Sequence, residues 1–187
     1  LAGVPCPTIS DDEILVRIRA TTVTSGDARM RAFNVPKGFR LMSRLVLGIR
    51  KLRQPILGVE LAGDVVAVGK AVTRFAVGDR VFGLPVTGCH AEFPAVRANG
   101  PSARIPAGMS YEDAPALPFG ATTALSFLGR SGLQKGDRLL VNGAAGAVGV
   151  ATLQLARAMG IETVAVSTAP KHELVLSLGA SRAIDYR

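Results

Sequence analysis

Apolar and polar positions alternate over residues 13–20, with Ile14, Val16 and Ile18 on one face and Leu15, Arg17 and Arg19 on the other. This is the two-residue period of a strand. The stretch 58–82 continues in the same style. Val65, Val66 and Val68 are β-branched, Gly69 and Lys70 mark a turn, and Gly78 and Asp79 mark another before Arg80, Val81 and Phe82. Residues 88–96 read as a further strand. Short strands broken by glycine-rich turns predict a barrel-like β domain. The texture then changes. Ser110 and Asp113 have capping-box spacing ahead of residues 114–117, Pro118 to Gly120 interrupt, and 122–128 reads as helix. From Gly136 onward the pattern predicts strand 138–142, a glycine-rich turn 143–149, helix 148–159, strand 163–167, helix 171–178 and strand 183–186. That is a βαβαβ half of a doubly wound sheet. The predicted domains are therefore 1–121 and 122–187. There is no internal repeat and no low-complexity segment.

Composition narrows the class. Of 187 residues, 48% are apolar and 19% charged, enough to build a core. No apolar run reaches the roughly 18 to 20 residues of a membrane helix. Two cysteines, Cys6 and Cys89, are too few for a disulfide framework. With no secretory pattern at the start, the expected compartment is the cytoplasm. The chain does not open on Met, so a natural N-terminus upstream is expected. The net charge of +8 comes from one segment: Arg29, Arg31, Lys37, Arg40, Arg44, Arg50, Lys51 and Arg53, with no Asp or Glu among them. Such a stripe suits a phosphate backbone, an anionic membrane or a solvated loop beside an anionic cofactor. Phe33 and Phe39 are its only aromatics and it holds no nucleic-acid motif, so the solvated loop is the preferred reading. Neither nucleic acid nor membrane is expected as a partner.

The turn LVNGAAGAVG over 140–149 carries the chemistry. Read against G-x-G-x-x-G, its key positions are Ala144, Gly146 and Gly149, so the first glycine is replaced. Its context is stronger than the pattern, because an apolar strand precedes it and a helix with Leu153, Leu155 and Ala156 follows. Small residues let the backbone approach a pyrophosphate, and the helix N-terminus offers free N–H groups. The alternative is a turn that merely packs helix on strand. About 20 residues beyond such glycines, NAD sites place a carboxylate on the ribose. Here the sequence is VSTAPK over 166–171, with no acid. Ser167, Thr168 and Lys171 suit a 2′-phosphate, which favours NADPH; otherwise Lys171 is only an exposed residue at a helix start.

Together these residues resemble the zinc-free branch of the medium-chain dehydrogenase/reductase superfamily, which includes quinone oxidoreductases and NADPH-dependent enone reductases. The resemblance rests on VRIRATTVTSGD over 16–27, PILGVELAG over 55–63, Val68 and Gly69 with FAVGDRV over 75–81, and GCHAEF over 88–93. It continues through 114–125, 136–149 and Leu178 to Ala180. It implies a GroES-like β-barrel domain followed by the first βαβαβ half of a Rossmann domain, an α/β plus β chain. It also implies that Thr24 and Thr122 lie near the nicotinamide. By the same resemblance Ala144, Ala145, Gly146, Ala147, Val148 and Gly149 cradle the pyrophosphate, and Ser167, Thr168 and Lys171 hold the adenosine phosphate. The basic segment matches one that borders the cleft, which makes anion steering an expectation for it.

Zinc members of this superfamily use a Cys and a His where this chain has Thr24 and Val59. Neither residue ligates zinc. Cys89 and His90 are adjacent, and neighbours on a strand face opposite sides. No metal is expected. The expected function is NADPH-dependent hydride transfer to a quinone or an α,β-unsaturated carbonyl. The alternatives are a zinc-free alcohol or aldehyde reductase and a non-catalytic nucleotide- or RNA-binding relative. The expected partners are a small-molecule quinone, enone or aldehyde and, for a full-length protein, a second copy in a homodimer. The pattern stops after the third strand of the Rossmann half, so a truncated chain that does not turn over by itself is expected, with strand 138–142 at an exposed edge.

Overall fold

The computed structural model describes residues 3–48, 53–85 and 87–187. Arg50 and Lys51 of the basic stripe lie outside the described residues. The chain divides into two compact units, Leu1–Pro115 and Ala116–Arg187. The boundary read from the sequence, 121/122, falls inside the first helix of the second unit.

In the first unit, β1 (Glu13–Thr21), β2 (Leu61–Val68), β3 (Arg80–Gly83), β4 (Ala95–Arg97) and β5 (Ser102–Arg104) form one antiparallel sheet in the order β4-β1-β2-β3-β5. The alternation of β1 does what its period requires. Ile14 and Val16 are fully buried and pack with Leu61, Val65, Phe75, Val81, Cys89 and Val96, with Ile18 against the cluster. The β1–β2 ladder shifts register between Leu15 and Val16 and again between Ile18 and Ala20. Gly63 lets the two strands lie close, since a Cβ there would stand 2.2 Å from the Arg17 carbonyl oxygen.

Two expectations need correction here. The strand expected over 88–96 survives only as β4. Val16 and Ile18 donate to the carbonyls of Pro94 and Glu92, while Cys89 and His90 donate to Gly58 and Leu57 instead. Pro94 has no N–H to return, so the ladder breaks there. The basic stripe is not a loop, because it contains α1 (Ser25–Arg31), a 3-10 turn (Lys37–Phe39) and α2 (Arg40–Leu47).

The second unit holds α3 (Pro118–Ser131), β6 (Arg138–Asn142), α4 (Ala147–Ala158), β7 (Glu162–Ser167), α5 (His172–Ser177) and β8 (Arg182–Asp185). The strands are parallel in the order β6-β7-β8, with Val141 opposite Ala165 and Ser167 opposite Asp185. Val141, Ala144, Leu153, Ala165, Val175 and Ala180 make its core. Pro118 does not interrupt a helix; it opens one. At the first helical position its missing N–H costs nothing and its fixed φ favours the helix. The Ser110–Asp113 box forms, with the Asp113 amide donating to Ser110 Oγ at 3.0 Å, but it precedes only the short 3-10 turn Ala114–Ala116. Tyr111 is structural: its hydroxyl donates to Asp64 and its ring lies 4.3 Å from the Arg80 guanidinium.

Candidate cofactor site and active-site residues

The phosphate-turn residues occupy the β6–α4 connection. Gly143 turns the chain at φ +69°, a left-handed conformation that suits glycine. Ala144 is fully buried in the core, and its amide donates to the Val166 carbonyl at 3.0 Å. The Gly146 amide closes the turn on Gly143 at 3.0 Å. Gly146 is the N-cap of α4 and provides no side-chain cap. The first intrahelical bond runs from Val150 to Gly146, so the amides of Ala147, Val148 and Gly149 have no acceptor within the helix. Gly149 has no room for a side chain, because a Cβ would stand 2.5 Å from the Gly143 carbonyl oxygen and 2.6 Å from Ala144 Cα. Gly120 of α3 does the same for Ala147, whose carbonyl oxygen would be 2.7 Å from an added Cβ. Both glycines hold the start of α4 tightly against its surroundings.

The Ala144–Val166 bond and the Asn142–Val166 register bring this turn to the C-terminal end of β7. Ser167 is buried there, Thr168 stands at the N-cap position of the next 3-10 turn without a side-chain cap bond, and Lys171 is exposed at the end of that turn. The structure thus gathers Ala144 to Gly149 with Ser167, Thr168 and Lys171 at one end of the parallel sheet. Sequence reading missed Asp185, which pairs with Ser167 in register and puts an exposed carboxylate in the same row. It is placed there by the register of β7 against β8, which the sequence does not mark.

Thr122 lies in this unit as well, at the start of the second turn of α3, and its hydroxyl donates to the Pro118 carbonyl four residues back. Thr24 belongs to the first unit. It is the N-cap of α1, in a capping box with Asp27. Its amide and hydroxyl both meet Asp27 Oδ2, at 2.8 and 2.7 Å, and its Oγ1 accepts from the Asp27 amide at 3.2 Å. The other carboxylate oxygen of Asp27 accepts from the Gly58 amide at 3.1 Å. Asp27 is only 4% exposed. Burial pushes its carboxyl upward, but the bonds from Thr24 and Gly58, with a smaller electrostatic contribution from His90, together hold it below the usual carboxylate range. Asp27 was not singled out in the sequence, although Thr24 and Asp27 have the same box spacing as Ser110 and Asp113.

Around Thr24 lie further polar groups. Glu60 is buried, accepts from the Thr22 hydroxyl at Oε2 and from the Thr21 hydroxyl at its carbonyl, the latter at 2.7 Å. His90 Nε2 is 2.9 Å from the Thr22 carbonyl oxygen, and its ring packs on Gly58, where φ is +87° and a Cβ would stand 2.5 Å from Cδ2. Cys89 is fully buried, and burial first, then the charges of Asp27 and Glu60, push its thiol up to about 12. Among the described residues no group of three or more His, Cys, Asp or Glu side chains is arranged to hold a metal ion.

Residues 10–112 match the alcohol dehydrogenase GroES-like domain family. Over 98% of its length the chain is 32% identical to the enoyl reductase component lovC of the lovastatin nonaketide synthase of Aspergillus terreus, of which it spans 52%. Similar solved structures include two quinone oxidoreductases. The quinone oxidoreductase of Coxiella burnetii superposes with a TM-score of 0.84 at 25% identity, covering 98% of this chain and 56% of that one. The Escherichia coli quinone oxidoreductase complexed with NADPH gives 0.82 at 27% identity, covering 100% and 54%. The chain therefore spans about half the length of these relatives. With its GroES-like domain and the βαβαβ unit behind it, the chain belongs to the quinone oxidoreductase-like branch of the medium-chain dehydrogenase/reductase superfamily.

Proposed function

We propose that this chain is the substrate domain and half of the cofactor domain of a cytoplasmic, zinc-independent, NADPH-dependent oxidoreductase, homodimeric at full length, that reduces quinones or α,β-unsaturated carbonyls. The carrying observation is the free first turn of α4, pressed by Gly149 against Gly143, beside a β7 end that offers Ser167, Thr168 and Lys171 and no carboxylate of its own. This arrangement suits a diphosphate, because the amides of Ala147, Val148 and Gly149 have no acceptor within the helix. A 2′-phosphate fits the cationic neighbour Lys171. The Escherichia coli relative complexed with NADPH and the enoyl reductase relative support the same cofactor and substrate class.

When bound, a reduced nicotinamide would supply a hydride, which an enone or quinone would accept because conjugation disperses the developing negative charge. The protein's own task is to bind, orient and exclude water. Ala145 to Val148 would hold the pyrophosphate. The Thr24 hydroxyl donates to Asp27, so toward a substrate it would act as an oriented acceptor and not as a proton source. Thr122, bonded to Pro118, has the same character. Thr24 and Val59 are not zinc donors, so activation of the acceptor would rest on conjugation and not on zinc.

The test is titration of the full-length protein with NADPH and NADH. Lys171→Ala is expected to weaken NADPH binding by about tenfold, the loss of one charge-assisted contact, and to leave NADH unchanged. An unaltered NADPH-to-NADH ratio would remove the assignment. A panel of quinones, enones and aldehydes, assayed with and without a chelator, separates this reading from a zinc-dependent alcohol dehydrogenase.

A further inference from the structure

We propose that α2 and the basic residues around it form a docking surface for an anionic phospholipid bilayer. A helix of a soluble domain turns its apolar stripe inward. Here Phe39, Leu41, Met42 and Leu45 are between 53% and 75% exposed. At about 100° per residue, Leu41, Leu45 and Met42 share one arc of about 100°, with Phe39 beyond Met42 and with Arg40 and Arg44 along the opposite flank. Arg29, Arg31, Arg40, Arg44 and Arg53 are all exposed, and among the described residues none of them has an ion-pair partner. Between Asp27 and Glu60 the sequence has no acidic residue. The Arg44 guanidinium lies 5.4 Å from the Phe33 ring, a cation–π contact and not an ion pair.

This combination selects the partner. A phosphate backbone would meet the arginines but leave Leu41, Met42 and Leu45 without a role, since aliphatic groups neither stack nor hydrogen-bond. A second copy docked by this face would bring two cationic clusters together. An acidic bilayer surface takes both parts: the apolar arc enters the headgroup boundary while the arginines remain at the phosphates. The basic stripe alone gave no reason to expect a membrane. The exposed apolar helix inside it reverses that expectation. Among the described residues no helix is long and apolar enough to cross a bilayer, so the contact proposed is peripheral.

Co-sedimentation of the full-length protein with neutral phosphatidylcholine vesicles and with vesicles containing about one-third phosphatidylserine tests this directly. Binding is expected on the anionic vesicles only, fading as salt is raised. Leu41→Ser with Leu45→Ser, and separately Arg40→Ser with Arg44→Ser, are each expected to weaken it by about tenfold or more with unchanged melting curves, because the side chains are exposed. Equal binding to neutral vesicles, or none to either, overturns the proposal. Salt-sensitive binding to duplex nucleic acid that survives the leucine changes, with vesicles unbound, overturns it in favour of a phosphate-backbone surface. A dimer dissolved by the leucine changes, again without vesicle binding, overturns it in favour of a second copy.

Discussion

Three hydrogen-bond donors converge on the Asp27 carboxylate: the amide and hydroxyl of Thr24 and the amide of Gly58. This one buried side chain caps α1, aims Thr24 and ties the start of α1 to the loop before β2. Asn keeps one acceptor oxygen and replaces the other with a donor, leaving an amide facing an amide. Asp27→Asn is expected to cost about 1–3 kcal/mol, read as a lower midpoint in denaturant unfolding. The folded carboxyl titrates below its unfolded value. Its contribution is therefore complete above the unfolded pKa of about 3.9 and disappears as pH falls through the lower folded value. Acidifying from neutral pH should destabilise the parent more steeply than the variant, and parallel pH profiles would contradict this role. The cysteines allow a second check at this scale. Cys89 is buried with its thiol pushed up to about 12, whereas Cys6 is exposed. Native protein near pH 8 is expected to alkylate at Cys6 only, and Cys89 to react once denaturant is added, as mass spectrometry of the peptides would show.

At the scale of elements, the β6–α4 connection is held by contact more than by any side-chain bond. Gly149→Ala would drive a methyl to 2.5 Å from the Gly143 carbonyl oxygen, where backbone and not a pliable side chain must yield. The expected cost is about 1–3 kcal/mol, with loss of NADPH affinity in the full-length protein; Gly129→Ala, which meets nothing within 4 Å, is the control that should do neither. These elements were legible because their periods are strong. The strand at 138–142 was read with the observed bounds, and α4 and β7 differ from their readings by a residue. α1 and α2 were not legible, since a seven-residue helix lacks a full apolar period and rests on its cap, and α2 turns its apolar arc outward. Pro118 misled in the opposite direction, because proline stops a helix only from inside it. The site was legible where small residues are obligatory, around Gly146 and Gly149. At Asp27 only the local box with Thr24 is written in the spacing, the bond to Gly58 being tertiary, and Asp185 is placed by strand register alone.

At the scale of the whole molecule, the parallel sheet presents an uncovered surface. Parallel strands are normally covered on both faces and paired on both sides. Among the described residues β6 pairs only with β7, and Leu140 is 62% exposed while its neighbour Val141 is buried on the other face. An apolar strand with one free row of amides and carbonyls is a template for another strand. The chain spans about half the length of these relatives. The 187 residues by themselves are thus expected to self-associate with rising concentration, seen as a growing weight-average mass in sedimentation velocity. Leu140→Lys places a charge on that row and should return the chain toward monomer without lowering its melting temperature, since the replaced side chain contributes little buried area. If the parent stays monomeric up to high micromolar concentration, β6 is not an open edge in solution. If the lysine variant associates as strongly as the parent, the association runs through another surface. The exposed apolar arc of α2 is then the next to change, by Leu41→Ser.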